Sequence, residues 1–356
     1  MEVTSLLRES MKTKPVSKRG ARQKTSTPKD VTRMNYNENP YGMSDKVKDA
    51  VVEATLSSYM YQDFFAVDLK DKLAEIFNLT HDHVLVGSGS SAIIDMIGEV
   101  FINYGDEIVY CSPTYEAFPD MVSDNGGVRV ELPLDENFCY DLDAMLAAVT
   151  EKTKMVVIVN PNNPTGTYVN SVKVEEFIRK LPSHVIAVVD EAYFEYVDDP
   201  THYSLIKMIQ EGYDKPLIVL RTFSKIYGMA GLRIGYAFAD PEIIDELMKA
   251  CQAWNVSRNG LLAAEAALDD PDYVKKMKEK NIASRAYLVD ELTKLGCEVV
   301  KPAANFIYFN AHKDPKEVRA ALAEKKIMIS AFDYNRVSVG TDEQNAAFIQ
   351  ALKEVL

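Results

Sequence analysis

Arg221-Thr-Phe-Ser-Lys-Ile-Tyr-Gly-Met-Ala-Gly-Leu-Arg-Ile-Gly-Tyr236 follows directly on the apolar run Leu217-Ile-Val-Leu220. Such a run reads as a buried strand, and Thr222, Ser224, Gly228 and Gly231 break it into a tight turn. Lys225 stands in that turn, an odd choice for packing. Taken singly, a lysine after a strand is most often a solvated surface residue. The neighbours reverse that reading. A partly desolvated lysine close to a second cation, here Arg233, is activated as a nucleophile that forms a Schiff base with an aldehyde. Thr222, Ser224 and Arg233 are phosphate-ligand types, because hydroxyls donate to phosphate oxygens and the guanidinium fork meets two of them at once. One ligand carrying both an aldehyde and a phosphate accounts for all four residues.

Composition sets the frame around this turn. At 356 residues the chain exceeds the roughly 250 to 300 residues at which single cores stop growing, so two lobes are expected. With 47% hydrophobic and 26% charged residues the composition is that of an ordinary globular protein. A net charge of -13 argues against a general nucleic-acid surface but is compatible with a local phosphate pocket. Cys111, Cys139, Cys251 and Cys297 are far apart with no CxxC spacing, and neither they nor the five histidines show metal spacing, so no metal is expected. No apolar run approaches a membrane span and no signal-peptide pattern is present, and together with the cysteine usage this predicts a cytoplasmic protein. Residues 1 to about 33 are polar and basic, with Lys12, Lys14, Lys18, Arg19, Arg22, Lys24, Lys29 and Arg33. They read as a solvated arm or a segment that docks on a partner subunit.

Several strand ends carry further chemistry. Asn37-Glu-Asn-Pro-Tyr41-Gly42 is a turn cluster, with Tyr41 a candidate for a pocket mouth, and a helical pattern begins at Ser44. Tyr59, Tyr61, Phe64 and Phe65 form an aromatic loop of the kind that serves as a docking surface. His83-Val-Leu-Val86 reads as a strand, and Gly87-Ser-Gly-Ser-Ser-Ala92 leads from it into an apolar helix. Free backbone N–H groups at Ser90, Ser91 and Ala92 make an anion site there. The same spelling matches a dinucleotide turn, but that reading needs an acid at the end of the next strand. Asp106 and Glu107 instead precede Ile108-Val-Tyr110, so the turn is read as a phosphate cup.

Tyr115 lies just past that strand, where a flat ring can stack on a flat cofactor. The strand Met155 to Val159 ends in Asn160-Pro-Asn-Asn163-Pro-Thr-Gly166, and Asn163 can donate to a phenolate oxygen. The strand Val185 to Val189 ends in Asp190-Glu-Ala-Tyr193. A carboxylate at Asp190 keeps a ring nitrogen protonated by ion pairing, and Tyr193 can share the phenolate with Asn163. A Schiff-base lysine, a ring-nitrogen acid, two phenolate donors, a stacking ring and a phosphate cup together describe a pyridoxal 5'-phosphate site.

These motifs resemble the fold-type I aminotransferases dependent on pyridoxal phosphate, and within them the histidinol-phosphate aminotransferase group. The resemblance runs from Asn37-Glu-Asn-Pro-Tyr-Gly42 through the stretches above to Arg336-Val-Ser-Val-Gly340. It implies an α/β fold: a large domain with a mostly parallel seven-stranded sheet sandwiched by helices, and a smaller α+β C-terminal domain. The expected division is an arm over 1–34, a cofactor-binding domain over 35–250 and the small domain over 251–356. By this resemblance Lys225 carries the cofactor and shuttles the substrate's proton, with Asp190 and Tyr193 also catalytic. Ser90, Ser91, Thr222, Ser224 and Arg233 hold the phosphate, Tyr115 stacks on the ring and Asn163 with Tyr193 holds its oxygen. Tyr61 would reach the phosphate of a neighbouring subunit, which implies a homodimer. Arg336 would clamp the substrate's acid group, beside Asn163, and Tyr41 would close over it. The partners implied are a small-molecule amino donor and a 2-oxo acid, 2-oxoglutarate, with no nucleic acid and no membrane.

The match has two departures. Ser91 and Ala92 stand where the family often has an acidic pair, and Ser330 stands near where its histidinol-phosphate members carry a second arginine. A lost charge-assisted contact to a dianion costs about 1.5 to 3 kcal/mol, so this leans the substrate toward a monoanionic amino acid, such as an aromatic one, against the family's histidinol phosphate. A decarboxylase or lyase on the same fold, a nicotinamide oxidoreductase and a non-catalytic binding module are the other readings. Beyond Ala239 helices are predicted over 241–256, 258–268 and 272–295, strands over 297–301, 305–310, 327–330 and 336–339, and a last helix from 341. Asn255 and Asn305 are candidates to line a pocket between the lobes, and helical spacing puts Trp254 in the core.

Overall fold

The computed structural model describes residues 7–12 and 30–356; the basic run from Lys14 to Lys29 lies outside the described residues. The chain begins with helix α1 (Glu9–Lys12), strand β1 (Thr32–Arg33) and helices α2 (Asp45–Leu56) and α3 (Val67–Ile76). Alternation follows: β2 (Val84–Gly87), α4 (Ser90–Phe101), β3 (Glu107–Ser112), α5 (Ala117–Asp124), β4 (Val128–Pro133), α6 (Leu142–Ala147), β5 (Thr153–Val159), α7 (Ser171–Lys180), β6 (Ile186–Asp190), α8 (Ile206–Gln210), β7 (Leu217–Thr222) and β8 (Gly235–Phe238). Three helices come next, α9 (Pro241–Met248), α10 (Arg258–Leu268) and α11 (Pro271–Lys294). The chain ends with β9 (Glu298–Val299), β10 (Phe306–Asn310), α12 (Pro315–Glu324), β11 (Ile327–Met328), β12 (Ser330–Ala331), β13 (Asn335–Ser338) and α13 (Asp342–Val355).

Seven strands form one sheet in the order β2-β8-β7-β6-β5-β3-β4. The pairs from β7 through to β4 are parallel, and β8 runs antiparallel to both its neighbours. This is the expected mostly parallel seven-stranded sheet. Every residue of β2, β6, β7 and β8 is buried, which explains why these strands read as apolar runs and not as alternating ones. Because β3, β5, β6 and β7 are parallel, their carboxyl ends fall on one edge, where α/β sheets bind ligands. A buried ion pair sets the register there. Glu191, just past β6, accepts from Arg221 Nη1 of β7 at 2.9 Å, while Arg221 Nη2 reaches Glu195 at 3.0 Å.

The second sheet is antiparallel, in the order β12-β13-β10-β9. Its core joins Leu288, Leu292, Ile307, Phe309, Val337 and Phe348. Met34 lies in the same core and β1 pairs with β11, so the segment leading out of the arm docks on this smaller unit. The start of the second lobe differs from the reading. Helix α10 was assigned to it, yet Leu261, Ala263, Ala264 and Ala267 pack into the large core, because its apolar face meets α2 and α3. Trp254 also differs: α9 stops at Met248, and Trp254 sits in the loop beyond it with φ 52°, 44% exposed and stacked on Tyr61. Helical spacing continued past the real end of the helix. Among the described residues no helix is long and apolar enough to cross a membrane.

Candidate active site

The turn after β7 brings Lys225 out at the shared strand edge, with Nζ 5.3 Å from the centre of the Tyr193 ring and 3.5 Å from the Tyr36 carbonyl oxygen. Asp190 closes β6, the next strand, and is 2% exposed. Burial pushes its carboxyl up to about 6, opposed by the Ala192 N–H, which donates to Oδ1 at 2.9 Å, and by the charge of Lys225. A buried carboxylate with one backbone donor is suited to meet a cationic ring nitrogen.

The loops after β3 and β5 are tied together. Asn162 Nδ2 donates to the Pro113 carbonyl at 3.0 Å and its Oδ1 accepts from Thr114 Oγ1 at 3.0 Å. That brace places Tyr115 and Asn163 on the same edge. Tyr115 is pushed up by burial and shares its electrostatic surroundings with Asp190, Tyr193 and Arg233, and its hydroxyl lies 3.0 Å from Ser91 Oγ. Asn163 Oδ1 accepts from Arg336 Nη1.

The glycine turn leads into α4, where the anion cup is expected. The backbone fits a phosphate: Gly89 has φ 80°, and a Cβ there would run into the Arg233 guanidinium. A Cβ on Gly235 would run into the Ser90 amide. Glycine at both places keeps the α4 N-terminus and Arg233 open to an oxyanion. Ser224 Oγ accepts from Arg233 Nη1 at 3.3 Å. Thr222 Oγ1 accepts the Ser224 N–H at 3.1 Å and donates to Ile234 O at 3.4 Å, so it braces the turn.

Arg336 in β13 faces this edge from the second sheet, 7% exposed. Its Nη2 donates to the Asn35 carbonyl at 2.9 Å and to Ser330 Oγ at 3.1 Å, and its buried Nε has no hydrogen-bond partner among the described residues. No carboxylate lies within ion-pair distance of it among the described residues. Burial lowers its pKa, with Tyr193 and Glu116 acting the other way from farther off. Two predicted residues are not brought to this centre. Tyr61 is 77% exposed and stacks on Trp254 with ring centres 4.6 Å apart. Tyr41 packs on α11, with Lys280 Nζ 4.0 Å from its ring centre, and no hydrogen bond joins it to Arg336. A cleft of about 1090 Å³ lined by Cys139, Lys173, Lys180, Glu298 and Lys301 holds none of the predicted site residues.

Sequence reasoning passed over Asn37 and Ser338. Asn37, read as part of a turn, is 2% exposed and its Nδ2 donates to the Tyr193 hydroxyl at 3.1 Å. Ser338 lies two residues beyond Arg336 on the same strand face, a spacing that was available as a signal.

A lysine and a buried acid at adjacent strand ends, with Asn163, Tyr193 and the Gly89 turn on the same edge, are the arrangement expected of a pyridoxal-phosphate-dependent transaminase on an α/β fold. The comparisons agree: residues 29–352 match the model of aminotransferase class I and II, and the chain belongs to that family. It is 38% identical over 334 residues to the histidinol-phosphate aminotransferase of Moorella thermoacetica, covering 92% of this chain and 86% of that one. The enzyme of the same name from Caldicellulosiruptor saccharolyticus is 39% identical, with 92% of each chain covered. Among solved structures, the histidinol-phosphate aminotransferase of Sinorhizobium meliloti in complex with pyridoxal-5'-phosphate superposes with a TM-score of 0.85 at 30% identity, covering 91% of this chain and 90% of that one.

Proposed function

We propose that this aminotransferase takes histidinol phosphate as amino donor and 2-oxoglutarate as acceptor, working as a cytoplasmic homodimer. The observation that carries the acid-bearing substrate is Arg336, a buried cation whose hydrogen bonds among the described residues all go to neutral groups. Such a charge is costly to bury unless an anion comes to it. The particular donor is that for which the relatives from Moorella thermoacetica and Caldicellulosiruptor saccharolyticus are named.

Pyridoxal phosphate, when bound, supplies an aldehyde that takes the substrate's amine and a ring that withdraws electrons from its Cα. Lys225 would hold that aldehyde and, once released as the substrate's amine takes its place, would move the proton at Cα. Asp190 holds the proton on the ring nitrogen. Asn163 and Tyr193 orient the ring oxygen, Tyr115 covers the ring face, and Ser90, Ser91, Ser224 and Arg233 hold the phosphate. Thr222 keeps that turn in shape.

The exposed rings of Tyr61, Phe64, Phe65 and Trp254 form a contiguous aromatic surface suited to a second copy, with Tyr61 reaching across it. Four free cysteines fit a reducing compartment. We draw the boundary between the lobes after α10, on the packing of that helix.

A second reading, an aromatic amino acid as donor, is favoured by one feature. Arg336 has a hydroxyl, Ser330, beside it where a dianion would want another cation, and the Phe306 and Phe332 rings lie 5.4 and 5.0 Å from its guanidinium carbon. Single-turnover absorbance of the loaded enzyme with either histidinol phosphate or phenylalanine separates the two. Conversion by histidinol phosphate is expected; conversion by phenylalanine alone would replace the first reading with the second.

A further inference from the structure

Asn37 has φ 56°, a left-handed backbone that few residues other than glycine adopt, although asparagine tolerates it better than most. It is buried and its polar groups are all engaged across the fold. Its backbone N–H donates to Ser338 Oγ at 2.9 Å, and its carbonyl accepts from Asn305 Nδ2 at 3.0 Å. Its Oδ1 lies 3.2 Å from Ser338 Oγ and its Nδ2 3.1 Å from Tyr193 Oη.

The direction of these bonds follows from valence. A backbone N–H can only donate, so Ser338 Oγ accepts there and sends its own proton to Asn37 Oδ1. The amide oxygen of Asn37 is thereby turned toward Ser338, and its NH2 must point at Tyr193. The Tyr193 oxygen then accepts, and its own hydroxyl proton is directed elsewhere. We propose that Ser338 and Asn37 form a polarised hydrogen-bond chain that reserves the Tyr193 hydroxyl proton for the oxygen of the cofactor ring. This rests on the reading that Tyr193 faces that oxygen. Asn37 and Ser338 are positioning residues, since they act through Tyr193. Asn305 holds the Asn37 backbone in its left-handed conformation.

The other titratable groups that act on Tyr193 are Lys225 after β7, Arg336 on β13, Tyr115 after β3 and Tyr196 beyond β6. None is altered by the variants below.

The test is the pH midpoint of the bound cofactor's visible absorbance change, read on the reconstituted enzyme. A ring oxygen that loses a donor keeps its proton to higher pH. Tyr193→Phe is expected to raise the midpoint by about 1 to 2 units, the scale of one hydrogen bond to a charged group. Asn37→Asp keeps the left-handed backbone but offers an acceptor that draws the tyrosine proton away. It is expected to raise the midpoint similarly, and by less than half as much in a Tyr193→Phe background. Ser338→Ala is expected to give a smaller rise that Ser338→Thr restores. A purely structural role would lower cofactor affinity and melting temperature without moving the midpoint. If Tyr193→Phe moves the midpoint while Asn37→Asp and Ser338→Ala do not, the chain is overturned and the Tyr193 reading stands. If Tyr193→Phe itself leaves it in place, the Tyr193 reading fails and the proposal with it.

Discussion

Arg221 at the end of β7 and Arg336 in β13 are buried to nearly the same depth, 5% and 7% exposed, and they are paired in opposite ways. Arg221 meets Glu191 and Glu195, and although burial works against its charge, the two carboxylates outweigh that and raise its pKa. Arg336 meets an amide oxygen, a carbonyl and a hydroxyl, and burial lowers its pKa. The first cation is neutralised by the fold and holds β6 against β7, which sets Asp190 beside Lys225. The second has no carboxylate within ion-pair distance among the described residues, and Glu116 acts on it only from farther off. Equal burial thus goes with scaffold in one sheet and with the proposed binding group in the other, and the partner's charge is what tells them apart.

The largest effect should come from the β7 side. Lys225→Ala is expected to lower kcat by about 10²- to 10⁴-fold from the lost proton transfer alone, measured under saturating donor and cofactor. Wild-type turnover in that variant would remove Lys225 from the site.

Arg221→Met should cost about 3 to 5 kcal/mol in denaturant unfolding, because Glu191 stays behind as a buried charge and Glu195 as a half-buried one. An unchanged midpoint would mean that the pair does not hold the strand ends together.

Asp190 sharpens the contrast through pH. Its carboxyl is raised from 3.8 to about 6 by burial, so in cofactor-free enzyme its contribution is fully present below about pH 3.8 and is lost as pH rises through about 6. The loss amounts to about 3 kcal/mol. Asp190→Asn should flatten that decline in cofactor-free melts at pH 4 to 8 while weakening cofactor binding. Identical slopes for the two proteins would refute the burial argument.

Arg336→Met is expected to show the smallest change in stability and a loss of about 10- to 150-fold in kcat/KM for an acid-bearing donor. Its melting temperature should be unchanged or higher, since a buried cation with no ion-paired carboxylate among the described residues is removed. If it destabilises the enzyme as much as Arg221→Met, the two arginines do the same work and the comparison collapses.

Amino-acid sequence by itself determined the large sheet and the residues at its working edge. Lys225, Asp190, Tyr115 and Asn163 each lie within a short turn of the end of an apolar run, and parallel strands bring such positions together whatever lies between them. Local periodicity suffices for that, because it records which residues of one element are buried. It does not record which distant elements meet. Only the tertiary structure turned Asn37 from a turn residue into a donor to Tyr193, through a contact with Ser338 that spans 301 positions. Only packing assigned α10 to the large core, and only the true end of α9 put Trp254 on the surface beside Tyr61. The difference between Arg221 and Arg336 belongs to the same class, since the charge of a buried residue's partners depends on contacts that no single strand encodes.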